Sequence, residues 1–225
     1  MKKNLYIFRH GETDWNIAKR MHGITDIPLN KTGIEQSYAL AKCLSNVRLD
    51  CIYTSSLSRA VQTAEIVAEK NHTPIITEPG LMEWNLGIFC GKILHLTKRP
   101  KWTPIKIIKD DVYIPRTLLL DGDYVPQNGE SYNMFKQRIC KSIENIVKNT
   151  DAKNIGIATH GGAIRAMLRE YTNLTQAKQG MPNADYFVLQ WDGNKFSILE
   201  QPNWLVTKHP VVLMIDFIKK AFHNR

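Results

Sequence analysis

The sequence predicts an α/β protein, a three-layer α/β/α arrangement with a largely parallel central sheet and helices on both faces. Short apolar runs alternate with segments of helical spacing along most of the chain. Two of these runs, Leu5-Tyr6-Ile7-Phe8 and Ile155-Gly156-Ile157-Ala158-Thr159, lead into Arg9-His10-Gly11 and His160-Gly161-Gly162. Each reads as a strand that stops at a histidine and a glycine before a helical pattern. In an open parallel sheet, strand C-termini share one edge, and ligands bind there. Two histidines delivered to that edge can share one anionic group.

The elements follow in order. A strand over 4–9 leads to a loop containing Asp14, Asn16, Gly23 and Pro28, and a helix begins near Thr32-Gly33 with Ile34, Leu40, Ala41 and Leu44 on its apolar face. Asp50-Cys51-Ile52-Tyr53-Thr54 is a short strand. Ser55-Ser56 is placed to cap a helix over 57–69, whose Ala60, Ala64, Val67 and Ala68 share a face. Pro74-Ile75-Ile76-Thr77 is a third strand. Residues 88–128, with four prolines, read as a long excursion with some short secondary structure, the pattern of a functional loop or lid. A helix over 130–148 presents Phe135, Ile139, Ile143 and Val147 at four-residue spacing, followed by a strand over 154–159 and a helix over 162–171. Asp192-Gly193 between two apolar runs, 186–191 and 196–199, predicts a hairpin.

The 225 residues suit a single catalytic domain over 1–203 with an amphipathic tail over 204–225. Cys43, Cys51, Cys90 and Cys140 lack metal-ligand spacing and read as reduced thiols. The N-terminal apolar run is interrupted by Arg9, so neither a signal peptide nor a spanning segment is expected, and the expected location is cytoplasmic. The net charge of +9 is concentrated: 92–116 carries seven Lys/Arg against two Asp, and 204–225 four against one. That distribution does not form the stripe of a nucleic-acid binder.

A phosphate ester without a metal needs guanidinium forks, backbone N–H groups, a nucleophile and an acid for the leaving oxygen. Arg9 and His10 supply a fork and a nucleophile on one strand end. Gly11 is expected to let anionic oxygens approach the backbone. Arg59 falls in the first turn of a helix, and His160 arrives from the later strand with Gly161 opening the helix behind it.

The run from Leu5 through Arg9-His10-Gly11-Glu12-Thr13-Asp14-Trp15-Asn16 resembles the signature of the histidine phosphatase superfamily, in its phosphoglycerate-mutase-like branch. Four later blocks agree, in the family's order: Thr54-Ser55-Ser56-Leu57-Ser58-Arg59-Ala60, Glu83-Trp84-Asn85-Leu86-Gly87, Asn128-Gly129-Glu130-Ser131 and Thr159-His160-Gly161-Gly162. The resemblance implies a phosphoglycerate-mutase-like fold and catalytic roles for His10, Glu83, His160, Arg9 and Arg59. His10 would become a phosphohistidine. Arg9, Arg59, His160, Asn16 and Gly161 would bind the phosphoryl group, and Glu83 would act as acid and then base. Glu130 and Ser131 would cap a helix. Family mutases carry a small hydroxyl residue where this chain has His22, so no role carries over to His22. The remaining histidines, His72, His95, His209 and His223, read as ordinary.

Family mutases also carry an arginine-histidine-tyrosine run after the glutamate and an arginine-rich insertion. Trp84-Asn85-Leu86 stands here instead, which implies a phosphomonoester hydrolase rather than a phosphomutase or a non-catalytic phospho-ligand binder. No metal or other cofactor is expected. The basic excursion, expected at the mouth of the site, suggests a small, multiply anionic phosphoester as substrate. The tail fits packing on the body or on a second subunit, as in a homodimer. It also fits a weak contact of 204–225 with an anionic membrane surface.

Overall fold

Alternation along the first strand sends Leu5 and Ile7 into one apolar layer and Tyr6 and Phe8 into the other. The computed structural model describes residues 1–119, 122–172, 174–176, 181–200 and 204–207. In chain order the elements are β1 (Lys3–Arg9), α1 (Asp14–Ile17), α2 (Lys31–Cys43), β2 (Cys51–Thr54), α3 (Ser58–Glu69), β3 (Ile75–Thr77), β4 (Ile93–Thr97), β5 (Lys106–Ile108) and β6 (Asp111–Pro115). They continue with α4 (Arg116–Leu119), α5 (Tyr132–Asn149), β7 (Asn154–Thr159), α6 (Gly161–Tyr171), β8 (Leu174–Gln176), β9 (Tyr186–Trp191), β10 (Phe196–Glu200) and β11 (Leu205–Thr207). The central sheet has the order β10-β9-β1-β7-β2-β3. Its β1, β7, β2 and β3 run parallel, and the predicted hairpin β9-β10 adds antiparallel to the free side of β1.

Helices cover both faces, as the binary pattern requires. On one side Phe135, Ile139, Ile143 and Val147 of α5, with Ala163, Ile164 and Met167 of α6, pack on Leu5, Ile7, Ile155, Ile157, Phe187 and Leu189. On the other, Leu40 of α2 and Ala64, Val67 and Ala68 of α3 pack on Phe8, Ile52 and Ala158. Lys3 is buried against the first layer because its ammonium donates to the carbonyls of Val147 and Thr150. It satisfies backbone acceptors that the end of α5 would otherwise leave open.

Two local expectations are corrected. Ile34 is 41% exposed, and α2 instead buries Gly33, Ser37 and Leu40, which turns its face by about one residue from the predicted stripe. Its N-cap is Asn30, whose carbonyl oxygen accepts from Gly33 N at 2.8 Å. Ser55 and Ser56 do not cap α3: the N-cap position is Leu57, without a side-chain cap, and the Asp26 carboxylate accepts from both Ser58 N and Ser58 Oγ at 2.7 Å. Ser131, by contrast, does cap α5, accepting from Met134 N.

The excursion folds around β4, β6 and β5, a second sheet in that order, over a small core of Leu86, Phe89, Val112, Ile114 and Leu119. Past residue 203 the described chain stays with the body. Trp204 is buried in the α5–α6 layer, its ring 5.9 Å from Phe187, and β11 pairs with β8. The rest of the amphipathic tail, 208–225, lies outside the described residues. Among those described, no helix is long and apolar enough to cross a membrane.

Phe135 is fully buried and stacks at 5.8 Å on Trp84, the residue after Glu83. Phe135→Ala is expected to cost about 3–5 kcal/mol in urea unfolding, whereas Ile34→Ala should cost well under ~1 kcal/mol. Comparable losses for the two would contradict the observed orientation of α2.

Candidate active site

Parallel pairing of β1 with β7 places Arg9 opposite Thr159, so the next residue on each strand is a histidine. His10 N donates to Thr159 O at 3.1 Å, and the rings of His10 and His160 lie 5.2 Å apart. Both are buried. The two strand ends are thus one site.

His10 Nδ1 lies 2.7 Å from Gly11 O. A carbonyl only accepts, so Nδ1 carries the ring proton and Nε2 keeps a lone pair. Burial, then the Arg9 and Arg59 charges, with His22, hold the His10 pKa well below the usual histidine value, against the pull of the Gly11 bond. The ring is therefore neutral at physiological pH, with an unprotonated Nε2. Gly11 has a different purpose from the one expected. Its N–H goes to Thr63 Oγ1 at 3.1 Å, and a Cβ there would meet Gly33 O at 2.3 Å. It is needed for the close passage of this loop over α2, not for access to an anion.

Arg59, fully buried, is fixed by three bonds: Nη1 to Thr25 O, Nη2 to Gly23 O, and Nε to His160 Nδ1 at 3.3 Å. Burial pushes its pKa down to about 10, against the pull of Glu83 and Asp26. The guanidinium can only donate, so His160 Nδ1 accepts and its Nε2–H donates to Ser55 Oγ at 2.8 Å. Ser55 thus serves as the support of His160. Arg9 Nη1 donates to Met181 O at 2.6 Å, while its buried Nε–H meets no acceptor among the described residues. A buried donor of this kind fits an anionic ligand. Gly161, first in α6, sits with its Cβ position 3.5 Å from that Nε, which leaves only ordinary contact between backbone and guanidinium.

Asn16 is held in a capping box with Thr13, its Oδ1 accepting from Thr13 N, Thr13 Oγ1 and Asn183 Nδ2. With the oxygen saturated, its NH₂ is what Asn16 has to offer a ligand. Asn183, which the sequence reading passed over, also donates to His10 O and Gly11 O, both at 3.1 Å. His22 is equally part of the site. Its Nε2 lies 2.6 Å from Thr13 Oγ1 and its ring 6.0 Å from His10. Burial, with Arg59 and Arg9, lowers its pKa to about 3.

Glu83 faces the helix that His160 opens. Oε2 accepts from Gly162 N at 2.9 Å and Oε1 from Trp84 N at 2.8 Å, so the carboxyl sits over the first turn of α6. A Cβ at Gly162 would come within 2.2 Å of Oε1, which explains the second glycine of the motif. Arg138 of α5 clamps the backbone that carries Glu83, donating to the carbonyls of Gly80, Met82 and Glu83 and pairing with Glu130 at 2.6 Å. Glu130 in turn accepts from Asn85 N.

Arg9, His10, Asn16, His22, Arg59, Glu83, Gly161 and Gly162 line one cleft of about 460 Å³. Arg165 of α6, Lys19 and Arg20 line it as well. The excursion contributes Leu94, Leu96 and Leu119. Its cations, expected at the mouth, lie elsewhere: Arg99 and Lys106 line a separate hollow with Thr97, Tyr113 and Pro115. Strand alternation puts them on the opposite face of the small sheet. His95 lies on that face too, stacked on Tyr113 and bonded to Asp111.

The α/β sheet thus gathers two buried histidines, two arginines and a carboxyl at its strand ends, a set suited to holding an anionic group. The chain belongs to the histidine phosphatase superfamily (branch 1), whose profile matches residues 5–203. It is 33% identical over 164 residues to the uncharacterized phosphatase PhoE of Bacillus subtilis, covering 73% of this chain and 75% of the relative. It is 28% identical over 222 residues to a metal-independent phosphoserine phosphatase of Arabidopsis thaliana, covering 97% and 87%. Among solved structures, Bacillus stearothermophilus YhfR superposes with a TM-score of 0.69 at 27% identity, covering 88% of this chain and 96% of that one.

The depressed histidines make stability depend on pH. Unfolded histidines take up a proton near pH 6.5, whereas His10, His22 and His160 in the fold stay neutral below it. The unfolded state then binds more protons, so stability is full above pH 6.5 and falls as pH drops through the interval beneath it. Each fully buried neutral histidine contributes a slope of about 1.4 kcal/mol per pH unit there. The ligand-free protein should lose melting temperature from pH 7 to 5, less steeply in His22→Gln. A flat profile would contradict neutral histidines.

Proposed function

We propose that this protein is a metal-independent phosphatase that hydrolyses phosphomonoesters through a phosphohistidine at His10. The observation that carries this reading is the Nδ1–H bond of His10 to Gly11 O, which leaves Nε2 as a lone pair in a pocket of fixed cations. Nε2 attacks phosphorus and the ester P–O bond breaks, while the leaving oxygen takes the proton of the Glu83 carboxyl. Water then attacks the phosphohistidine, gives a proton back to Glu83 and releases inorganic phosphate with neutral His10. Arg9 Nε and the remaining Arg59 N–H groups hold the equatorial oxygens, supplying the charge that a metal supplies elsewhere.

A phosphomutase would have to hold a second anionic group of the same substrate in place after the first transfer. The wall next to Glu83 is built from Trp84, Leu86, Leu94 and Leu96, which favours release and hydrolysis. A purely binding member of the fold would not need nucleophile, acid and both arginines assembled together.

Rapid acid quench should trap an acid-labile, base-stable phosphoprotein that His10→Ala does not form, and that variant should lose phosphate release. Full activity of His10→Ala would overturn the reading. Excess EDTA should leave the rate unchanged, and a loss restored by Mg²⁺ would count against the arginine-only site. Glu83→Gln should slow alkyl phosphates by ~10²–10⁴-fold. It should slow p-nitrophenyl phosphate far less while phosphorylation limits both, because a good leaving group needs no proton. Any displacement of the site would affect both substrates equally, so equal losses would remove Glu83 from the acid role.

A further inference from the structure

We infer that the alcohol portion of the substrate is apolar, an alkyl or aryl body seated on the leucine face of the excursion; this rests on the phosphatase reading above. The lining of the cleft has two chemically distinct sets. One is polar and gathers Arg9, His10, Asn16, His22, Arg59 and Glu83 around the strand ends. The other is apolar: Trp15, Trp84, Leu86, Leu94, Leu96 and Leu119.

The wall follows from the register of the small sheet. In β4, Leu94 and Leu96 lie on one face, and their β6 partners, Val112 and Ile114, belong to the buried core of the excursion. His95 and Thr97 lie on the other face, beside Tyr113, Lys106 and Arg99. The sheet is therefore amphipathic, and its apolar side is the one turned to the phosphate site. Leu119 and Leu86 are buried behind this surface, whereas Leu96 is 48% exposed where the apolar face runs out into the cleft. An exposed leucine that continues a core face next to a catalytic base offers contact to a bound molecule rather than to the protein itself.

Two of the three further cations that line the cleft are placed for other work. Arg20 donates to Gly91 O at 2.6 Å and pairs with Asp110 at 2.7 Å. Arg165 acts at the phosphoryl end, where its charge lowers the pKa of Arg9. Lys19, the third, is exposed to solvent. An apolar body on the leucine face meets two indoles and the leucines, while a carboxylate or second phosphate there would be desolvated against them.

The test is a homologous series, n-alkyl phosphates from methyl to hexyl, compared with hexyl phosphate carrying a terminal carboxylate. Leaving-group acidity is nearly constant along the series, so differences report binding to the wall. Wild-type kcat/KM should rise with chain length, by up to about fourfold per fully buried methylene, and the terminal carboxylate should lower it. Leu96→Asp, a change at a half-exposed position, should flatten the rise. Isothermal titration with the matching n-alkylphosphonates reads the same wall without turnover, and Kd should fall along that series too. No dependence of Kd on chain length, or tighter binding of the carboxylated compound, would overturn the inference. Failure of every ester to be hydrolysed alongside length-dependent phosphonate binding would instead overturn the phosphatase reading and leave the apolar wall standing.

Discussion

The parallel pairing of β1 with β7 is the constraint on which the site depends. Because Arg9 and Thr159 are cross-strand neighbours, His10 and His160 leave the sheet side by side at its carboxyl edge. The rest is referred to that pair. Arg59 reaches His160 from α3, Glu83 reaches the first turn of α6 through Gly162, and Asn183 ties the end of β1 to α1. A slip of one residue between the strands would turn each side chain to the opposite layer and separate the histidines.

Such a centre concentrates positive charge in a buried place, and its neighbours are arranged to tolerate it. The three histidines remain neutral, each with a partner that fixes its proton: Gly11 O for His10, Ser55 Oγ and Arg59 for His160, Thr13 for His22. Glu83 is the nearby carboxyl, and in its ionised form its field opposes the loss of proton affinity of both arginines. Backbone carbonyls of Gly23, Thr25 and Met181 take up guanidinium donors without adding charge. A phosphoryl dianion therefore meets donors already oriented, with little reorganisation left to perform.

Much of this was legible in the sequence because strand-to-helix junctions leave compact signals. An apolar run, a histidine and a glycine are contiguous, so Arg9, His10, His160 and Gly161 could be placed at one edge before any coordinates. The helices of the body were equally readable from Phe135, Ile139, Ala60 and Ala64, whose spacing matches what they bury. What escaped depends on distance in the chain. Asn183 and Arg138 act through backbone carbonyls far from them in sequence, and a carbonyl leaves no mark on residue identity. His22 stands out in the sequence only as a departure from the family pattern, because its partner Thr13 belongs to a capping box whose purpose is apparent only once α1 is folded. The charge of the excursion was counted correctly but assigned to the wrong face. Sequence gives the sum of charge over a segment, whereas strand register decides which side presents it.

The excursion rests on a core of its own, Leu86, Phe89, Val112, Ile114 and Leu119, apart from the two layers that brace the histidine strands. That separation makes the molecule modular in an evolutionary sense. Substitutions within β4 to β6 can redraw the leucine face of the cleft at a stability cost borne mainly by a small satellite cluster. The strand ends that hold the histidines are spared that burden. Descendants of such a chain could therefore explore new esters quickly while inheriting an unchanged reaction.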